Sequence, residues 1–194
     1  MLISALSIPG AWRVDTMVHG DERGEFVEWF KAPALAEATG YSFDLAQANL
    51  SRSTKGTVRG IHFADVPPGQ AKYVTCVREA IIDYIVDIRV GSPTFGQWDS
   101  VEVTASSRNA VFLEEGLGHA FCALEDDTTV AYLVSDIYRP DKEHGINPLD
   151  ASLGIYYPFP PAELSLSSKD TQAPSFAEAE AAGLLPLWSN KEDQ

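Results

Sequence analysis

A histidine and an arginine lie three residues apart in a segment that has the pattern of a β-strand. The segment is Thr57–Phe63, and Arg59 and His62 would fall on opposite faces of a straight strand. Gly60 lies between them, and a glycine inside a strand permits a bulge that lets both side chains address one pocket. Because the pKa of imidazole is about 6.5, His62 is a candidate general base, although a single strand histidine is more often a hydrogen-bonded structural residue.

Other polar side chains interrupt apolar strand faces. Lys72 shares a face with Val74, and Gln47 shares one with Asn49. In a predicted strand over Glu25–Phe30, Glu28 falls on the same face as two aromatic residues, Phe26 and Phe30. Inward polar groups of a small barrel either satisfy one another or line a cavity, and their presence on several strands favours a cavity.

The sequence does not have the pattern of a metal site. Metal-binding jelly rolls carry a His-x-His pair, and His62 has no histidine two residues away on either side. Gly116–His119 matches only the last element of that pattern. Two histidines on distant strands are a poor site for a first-row metal, so no metal is expected. The phosphate-binding loop, the dinucleotide fingerprint and the serine nucleophile elbow are also absent from the sequence.

Composition narrows the class of protein further. The 194 residues suit one domain, and 45% hydrophobic residues can form a core. The formal net charge of −14 argues against nucleic-acid binding. No apolar stretch is long enough to span a membrane, and the N-terminus does not resemble a signal peptide. Two cysteines, Cys76 and Cys122, are expected as buried thiols in a reducing cytoplasm, although their sequence leaves a disulfide open.

Short segments of period-two alternation, separated by turn residues, predict an all-β jelly roll with minor helices. A short helix is expected between Pro33 and Gly40, and a capping box at Ser175 and Glu178 predicts another. We expect one domain over 1–194, with a core from about 20 to 160 and a segment over 161–190 packing on it. The predicted strands are Glu25–Phe30, Ala46–Ser51, Thr57–Phe63, Lys72–Val77, Ile81–Ile88, Gln97–Val103, Ala110–Leu113, Gly118–Leu124 and Thr128–Ser135.

Eight motifs in this order resemble the dTDP-4-dehydrorhamnose 3,5-epimerase family, whose fold is the cupin-type double-stranded β-helix. The likeness covers roughly residues 10–175, and eight motifs in register are far more specific than any one. The motifs are Arg23–Glu28 (RGEFVE), Gln47–Asn49 (QAN), Arg59–Phe63 (RGIHF), Pro67–Lys72 (PPGQAK), Val86–Gly96 (VDIRVGSPTFG), Gly116–Phe121 (GLGHAF), Tyr132–Tyr138 and Ser168–Asp170 (SKD).

The resemblance implies cofactor-free epimerisation of dTDP-4-dehydro-6-deoxy-D-glucose at carbons 3 and 5. The 4-keto group acidifies the hydrogens on both carbons. By the family pattern His62 is the base, and Asp170 orients its ring and stabilises its protonated form. Tyr132 donates a proton from the other face. Lys72 binds the enolate oxygen that forms between the two steps.

The family pattern also implies a binding set and a homodimer. Arg23 and Glu28 would reach the neighbouring protomer's site, Arg59 and Lys169 would bind the diphosphate, and Phe26 and Tyr138 would pack on thymine or the sugar. The full binding set is Arg23, Phe26, Glu28, Gln47, Asn49, Arg59, His119, Tyr138, Glu143 and Lys169.

Three alternatives remain open from the sequence. Ala64 and Ala120 depart from the family pattern without removing a catalytic group, and relatives with the same groups act at only one carbon. A 3- or 5-monoepimerase of an antibiotic deoxysugar pathway is therefore the nearest alternative. More remote ones are a metal-dependent cupin oxygenase and a sugar-nucleotide binding protein without activity.

Overall fold

The protein folds as two antiparallel sheets packed face to face. The structure is a computed structural model that describes residues 1–189. Three α-helices, α1 (Ala32–Thr39), α2 (Ser168–Thr171) and α3 (Phe176–Ala181), and a 3₁₀ turn over Pro161–Glu163 accompany the sheets. Strands β1 to β13 are Leu2–Ala5, Ala11–Asp15, Val18–Asp21, Gly24–Val27, Gln47–Ser53, Val58–Ala64, Lys72–Arg78, Ala80–Asp87, Trp98–Thr104, Ala110–Leu113, Leu117–Ala123, Thr128–Val134 and Glu143–Gly145.

The strand order is that of a jelly roll, as predicted. One sheet has the order β1-β2-β10-β7-β12-β5, and the other has the order β13-β6-β11-β8-β9. Neighbours in both sheets are mostly distant in sequence, so the chain passes repeatedly between the sheets. Within residues 1–189, strands β3 and β4 pair only with each other and form a separate two-stranded hairpin.

Apolar side chains from both sheets fill the space between them. Val74 and Cys76 of β7 meet Ile81 and Ile85 of β8 in one buried cluster. This placement confirms that Lys72, two residues before Val74, begins an inward-facing row. Along β8 the same row reads Ile81, Asp83, Ile85, so a buried carboxylate also faces the interior.

The other face of β8 is apolar because the C-terminal segment covers it. Tyr84 and Val86 pack with Leu153, Ala179 and Leu185 in a second cluster on the outside of the five-stranded sheet. The segment predicted to pack on the core over 161–190 supplies part of this cover, and residue 190 of that range lies outside the described residues.

The N-terminal strands correct the expected core boundary of about residue 20. Strands β1 and β2 belong to the six-stranded sheet, where β2 pairs with β10. Ala11 and Val14 are fully buried. Short strands with few apolar positions gave little alternation to detect, and β13 was missed for the same reason.

The predicted strand Glu25–Phe30 is wrong in its second half. Strand β4 ends at Val27. Phe30 turns inward, with its ring centroid 5.1 Å from that of Tyr73, whereas Phe26 is 64% exposed. The two aromatics therefore do not flank Glu28 on one face, because the partly buried Phe30 packs on the six-stranded sheet whereas Phe26 stays on the hairpin.

The predicted helix ends and thiols are confirmed. Helix α1 ends at Gly40, whose φ of 72° is left-handed, and Ser175 and Glu178 form the expected capping box on α3. Cys76 and Cys122 are both free and buried. Within residues 1–189 every helix is too short or too polar to cross a membrane.

Candidate active site

A cavity of about 320 Å³ opens between the sheets and brings together eleven of the fourteen predicted site residues. It adjoins the apolar core at Val74, Phe121 and Val130. The predicted residues that line it are Gln47, Asn49, Arg59, His62, Lys72, His119, Tyr132, Tyr138, Glu143, Lys169 and Asp170.

A bulge in β6 brings Arg59 and His62 to the same cavity, as the glycine between them predicted. On β11, His119 pairs with His62 and Phe121 pairs with Arg59, so two residues of β6 oppose one of β11. Gly60 has φ of +123°, and a Cβ there would lie 2.4 Å from the His119 carbonyl oxygen. Only glycine fits both the backbone angle and the close approach of the strands.

His62 and Asp170 form a hydrogen-bonded pair. His62 Nε2 lies 2.6 Å from Asp170 Oδ1, and the Ser167 hydroxyl donates to Asp170 Oδ2 at 2.8 Å. Ser167 also caps α2 by accepting from the Asp170 backbone N–H. The short helix therefore fixes a buried carboxylate against a strand histidine 108 positions away.

The charge of Asp170 defines the chemistry of His62. Burial disfavours the charged carboxylate, but the hydrogen bonds from His62 and Ser167 outweigh it, and the pKa of Asp170 lies below its ordinary value of 3.8. An ionised carboxylate only accepts hydrogen bonds, so neutral His62 carries its proton on Nε2. Nδ1 is then the ring atom that can accept a proton.

Lys72 is a buried cation that lines the same cavity. Burial lowers its pKa, and the nearby charges of Glu143 and Asp83 oppose that effect. Within residues 1–189 its ammonium group makes no ion pair and no hydrogen bond. Its three N–H donors are therefore available for a ligand oxygen.

Tyr132 lines the cavity from β12 as a phenol that stays protonated at neutral pH. Burial raises its pKa, Arg59 partly offsets the rise, and Glu143 adds to it. A protonated phenol in a water-poor cavity is suited to donate a proton.

Gln47 and Asn49 form a polar row on β5 that lines the cavity. Gln47 Nε2 donates to Asn49 Oδ1 at 2.6 Å, and Gln47 Oε1 accepts from the Tyr138 backbone N–H at 3.1 Å. Arg59 Nε donates to Ser53 at 3.1 Å. Together with Lys169, Arg59 supplies positive charge to the cavity of a chain whose net charge is −14.

Three predicted residues do not line this cavity. Arg23 and Phe26 lie on the β3–β4 hairpin, where the Arg23 side chain is 89% exposed and pairs with Asp21. Glu28 follows the hairpin and forms an exposed ion pair with Lys31 at 3.4 Å.

The structure adds cavity residues that the sequence analysis missed. Ser51 and Gln70 line the wall, and Ser167 supports Asp170. Asp83 accepts a hydrogen bond from His119 Nε2 at 2.7 Å and forms a second histidine–carboxylate pair. Ser51 could have been found because it shares its strand face with Gln47 and Asn49, but the pairing of β8 with β11 was not visible in the sequence.

Comparison with known proteins identifies the family. The family model of dTDP-4-dehydrorhamnose 3,5-epimerase matches residues 5–178. The chain belongs to this family. It is therefore an isomerase, which argues against the oxygenase alternative. The dTDP-4-dehydrorhamnose 3,5-epimerase of Mycolicibacterium smegmatis is 54% identical over 190 residues, which cover 98% of this chain and 93% of that protein.

Solved epimerase structures share the fold. The rmlC epimerase of Mycobacterium tuberculosis matches with a TM-score of 0.94 and 46% identity, covering 97% of this chain and 94% of that one. The structure of ChmJ, a 3'-monoepimerase from Streptomyces bikiniensis in complex with dTDP-quinovose, matches with a TM-score of 0.90 and 49% identity. The match covers 94% of this chain and 91% of the ChmJ chain. Relatives of similar identity thus include both double and single epimerases.

Proposed function

We propose that this chain epimerises dTDP-4-dehydro-6-deoxy-D-glucose at carbons 3 and 5 without a cofactor, in the synthesis of dTDP-L-rhamnose or a related deoxysugar. The observation that carries the proposal is the single cavity in which the His62–Asp170 pair, the Lys72 ammonium and the Tyr132 phenol come together.

Each group has a defined part in the proposed reaction. His62 Nδ1 removes the hydrogen next to the 4-keto group, and Asp170 stabilises the imidazolium that forms. The electrons move into the carbonyl to give an enolate, whose oxygen binds the Lys72 ammonium. Tyr132 protonates the carbon from the opposite face, which inverts the configuration. The proton held by His62 and the phenolate of Tyr132 then return to their starting states by exchange with solvent.

The nucleotide is proposed to bind towards the mouth of the cavity. Arg59 and Lys169 supply two positive charges for the diphosphate. Tyr138 is 56% exposed at the end of the polar row, so its ring is free to stack on thymine. Gln47, Asn49, His119 and Glu143 offer hydrogen-bonding groups between these two regions.

Incubation with the keto-sugar nucleotide in D₂O tests the reaction by NMR. We expect deuterium at both carbons 3 and 5 with wild type. His62→Ala should lose exchange at both carbons while its affinity for dTDP stays within about threefold. Tyr132→Phe should keep exchange but lose inversion by about 10²-fold or more, because His62 can return deuterium to the face from which it removed the proton.

Tyr156→Phe is the matched control, because Tyr156 is 83% exposed and does not line the cavity. It should behave as wild type. Exchange that survives in His62→Ala contradicts the assignment of the base, and absence of exchange in wild type overturns the proposed function. Label at one carbon alone would establish the monoepimerase alternative, which the similarity to ChmJ supports.

We also propose that the chain works as a cytoplasmic homodimer in which Arg23 and Glu28 complete the neighbouring site. The support is their position on or beside a hairpin that joins neither main sheet, with Phe26 exposed next to them. The two free cysteines suit a reducing compartment.

Mixing two inactive variants tests the dimer. If Arg23 acts in the neighbour's site, a heterodimer of Arg23→Ala and His62→Ala contains one site with both residues intact. Co-refolded or co-expressed mixtures should then recover activity that neither variant has alone, and light scattering should give the mass of two chains. A mixture that stays inactive while forming heterodimers would contradict action across the interface.

A further inference from the structure

A buried carboxylate lies behind the cavity wall and has no part in the reaction as proposed above. Asp83 lies on β8 and is fully buried, in the inward row with Ile81 and Ile85. Its Oδ2 accepts the hydrogen bond from His119. Its Oδ1 is buried and has no hydrogen-bond partner within residues 1–189. A buried carboxylate oxygen without a hydrogen bond lowers the stability of the folded protein unless a nearby positive charge compensates its charge.

The nearby positive charge is that of Lys72. Lys72 enters the cavity from the opposite sheet, and the charges that favour its protonated form are those of Glu143 and Asp83. Neither carboxylate forms an ion pair with the ammonium group in the described part of the chain. Asp83 therefore acts on Lys72 through its electric field without occupying its N–H donors.

We infer that Asp83 is a positioning residue, which keeps the Lys72 ammonium charged for the enolate oxygen and holds His119 with its proton on Nε2. The inference rests on the proposed function, because it assigns Lys72 the enolate oxygen. Glu143 faces Lys72 from β13, but Glu143 lines the open cavity, whereas Asp83 is sealed from solvent. Its field is therefore less screened and does not depend on the ligand.

The effect of Asp83 on activity can be separated from that of Glu143. Glu143 lines the cavity and raises the pKa of Tyr132 as well as opposing the fall in the pKa of Lys72, whereas Asp83 lies behind the cavity wall. Removal of the Asp83 charge lowers the pKa of Lys72 further. Because Lys72 must be protonated to bind the enolate, activity is then lost at a lower pH. The other titratable groups lining the cavity are His62, His119, Asp170, Arg59, Lys169 and Tyr138.

The pH dependence of C–H exchange tests the inference with Asp83→Asn, which keeps an acceptor for His119. We expect kcat/KM at pH 8 to fall by about 10-fold to 100-fold, less than the loss of a whole oxyanion donor. The alkaline limb of the profile should move to lower pH, while affinity for dTDP stays within about threefold. In Tyr132→Phe, which should retain exchange, the alkaline limb should stay at the wild-type position, since Lys72 sets it.

Asp99→Asn is the matched control, because Asp99 lies on β9 of the same sheet and bonds Ser7 outside the cavity. Its profile should match wild type. If Asp83→Asn does not fold, the smaller and equally uncharged Asp83→Ser repeats the measurement. An alkaline limb that stays in place in a folded Asp83 variant overturns the inference. Absence of exchange in wild type would instead overturn the proposed function, so the two failures are distinguishable.

Discussion

Replacement of Gly60 by alanine should damage both the stability of the protein and its active site. A side chain at φ +123° strains the backbone by about 1–3 kcal/mol. The new Cβ would also lie 2.4 Å from the His119 carbonyl oxygen and 2.6 Å from the Ala120 Cβ. These atoms belong to β11, which cannot easily move away because it pairs with β6 on one side and β8 on the other. Overpacking against such a strand costs about 1–3 kcal/mol.

The two costs together give a loss of about 2–6 kcal/mol, which corresponds to a fall in Tm of roughly 4–24 °C for a domain of this size. Thermal unfolding followed by circular dichroism measures the fall. At a temperature where Gly60→Ala is folded, C–H exchange should drop by about 10²-fold, because relief of the clash displaces His62 and Arg59, and a shift of about 1 Å is sufficient for such a loss.

Gly154→Ala separates the backbone cost from the clash. Gly154 also has a positive φ, +63°, but no atom of the described residues lies within 4 Å of its Cβ position, and it does not line the cavity. We expect a loss of about 1–2 kcal/mol and unchanged exchange activity. If Gly60→Ala were as stable and as active as Gly154→Ala, the argument that the bulge assembles the site would be wrong.

Two further predictions concern the support of the base. Asp170→Asn should lose about 1.5–3 kcal/mol at pH 7, because the carboxylate accepts hydrogen bonds from His62 and Ser167. The pKa of Asp170 is depressed by folding, so its contribution is complete above about pH 5 and is lost as pH falls, and urea unfolding should show the two proteins converging in stability at low pH. Ser167→Ala should cost about 1 kcal/mol through loss of the α2 cap and should lower kcat without weakening dTDP binding, as calorimetry and exchange rates would show. Equal stability of Asp170→Asn and wild type at pH 7, or an unchanged kcat in Ser167→Ala, would contradict these roles.

Local patterns made much of the fold predictable. Alternation identified the long strands that form the centre of each sheet, and Ser175 with Glu178 marked a helix start that the structure confirms. The same reasoning failed for β1 and β2, whose short alternation carries little signal. It failed for Phe30 because burial against Tyr73 depends on a strand that is distant in sequence.

The residues of the candidate site were predictable where one strand displays them and less so where two elements must meet. Side chains of a strand alternate between its two faces, so the spacing of Gln47 and Asn49 is enough to place both on one face of β5. The same face continues to Ser51. The contact between His62 and Asp170 spans 108 positions and follows from no local pattern. The pairing of His119 with Asp83 likewise depends on how β11 lies against β8.

The two pairs in which a cavity-lining histidine contacts a carboxylate show why such a pair alone does not identify a catalytic base. Both hold the imidazole by Nε2 at nearly the same distance, 2.6 Å for His62 and 2.7 Å for His119. They differ in access, since the His62 side chain is 35% exposed and that of His119 only 11%. A base must reach a carbon-bound hydrogen and exchange its proton with solvent after each turnover, which the more exposed ring allows. A histidine enclosed beside a buried carboxylate is suited to hold a fixed hydrogen bond, so under the proposed function the same pair of residue types would serve proton transfer at His62 and substrate binding at His119.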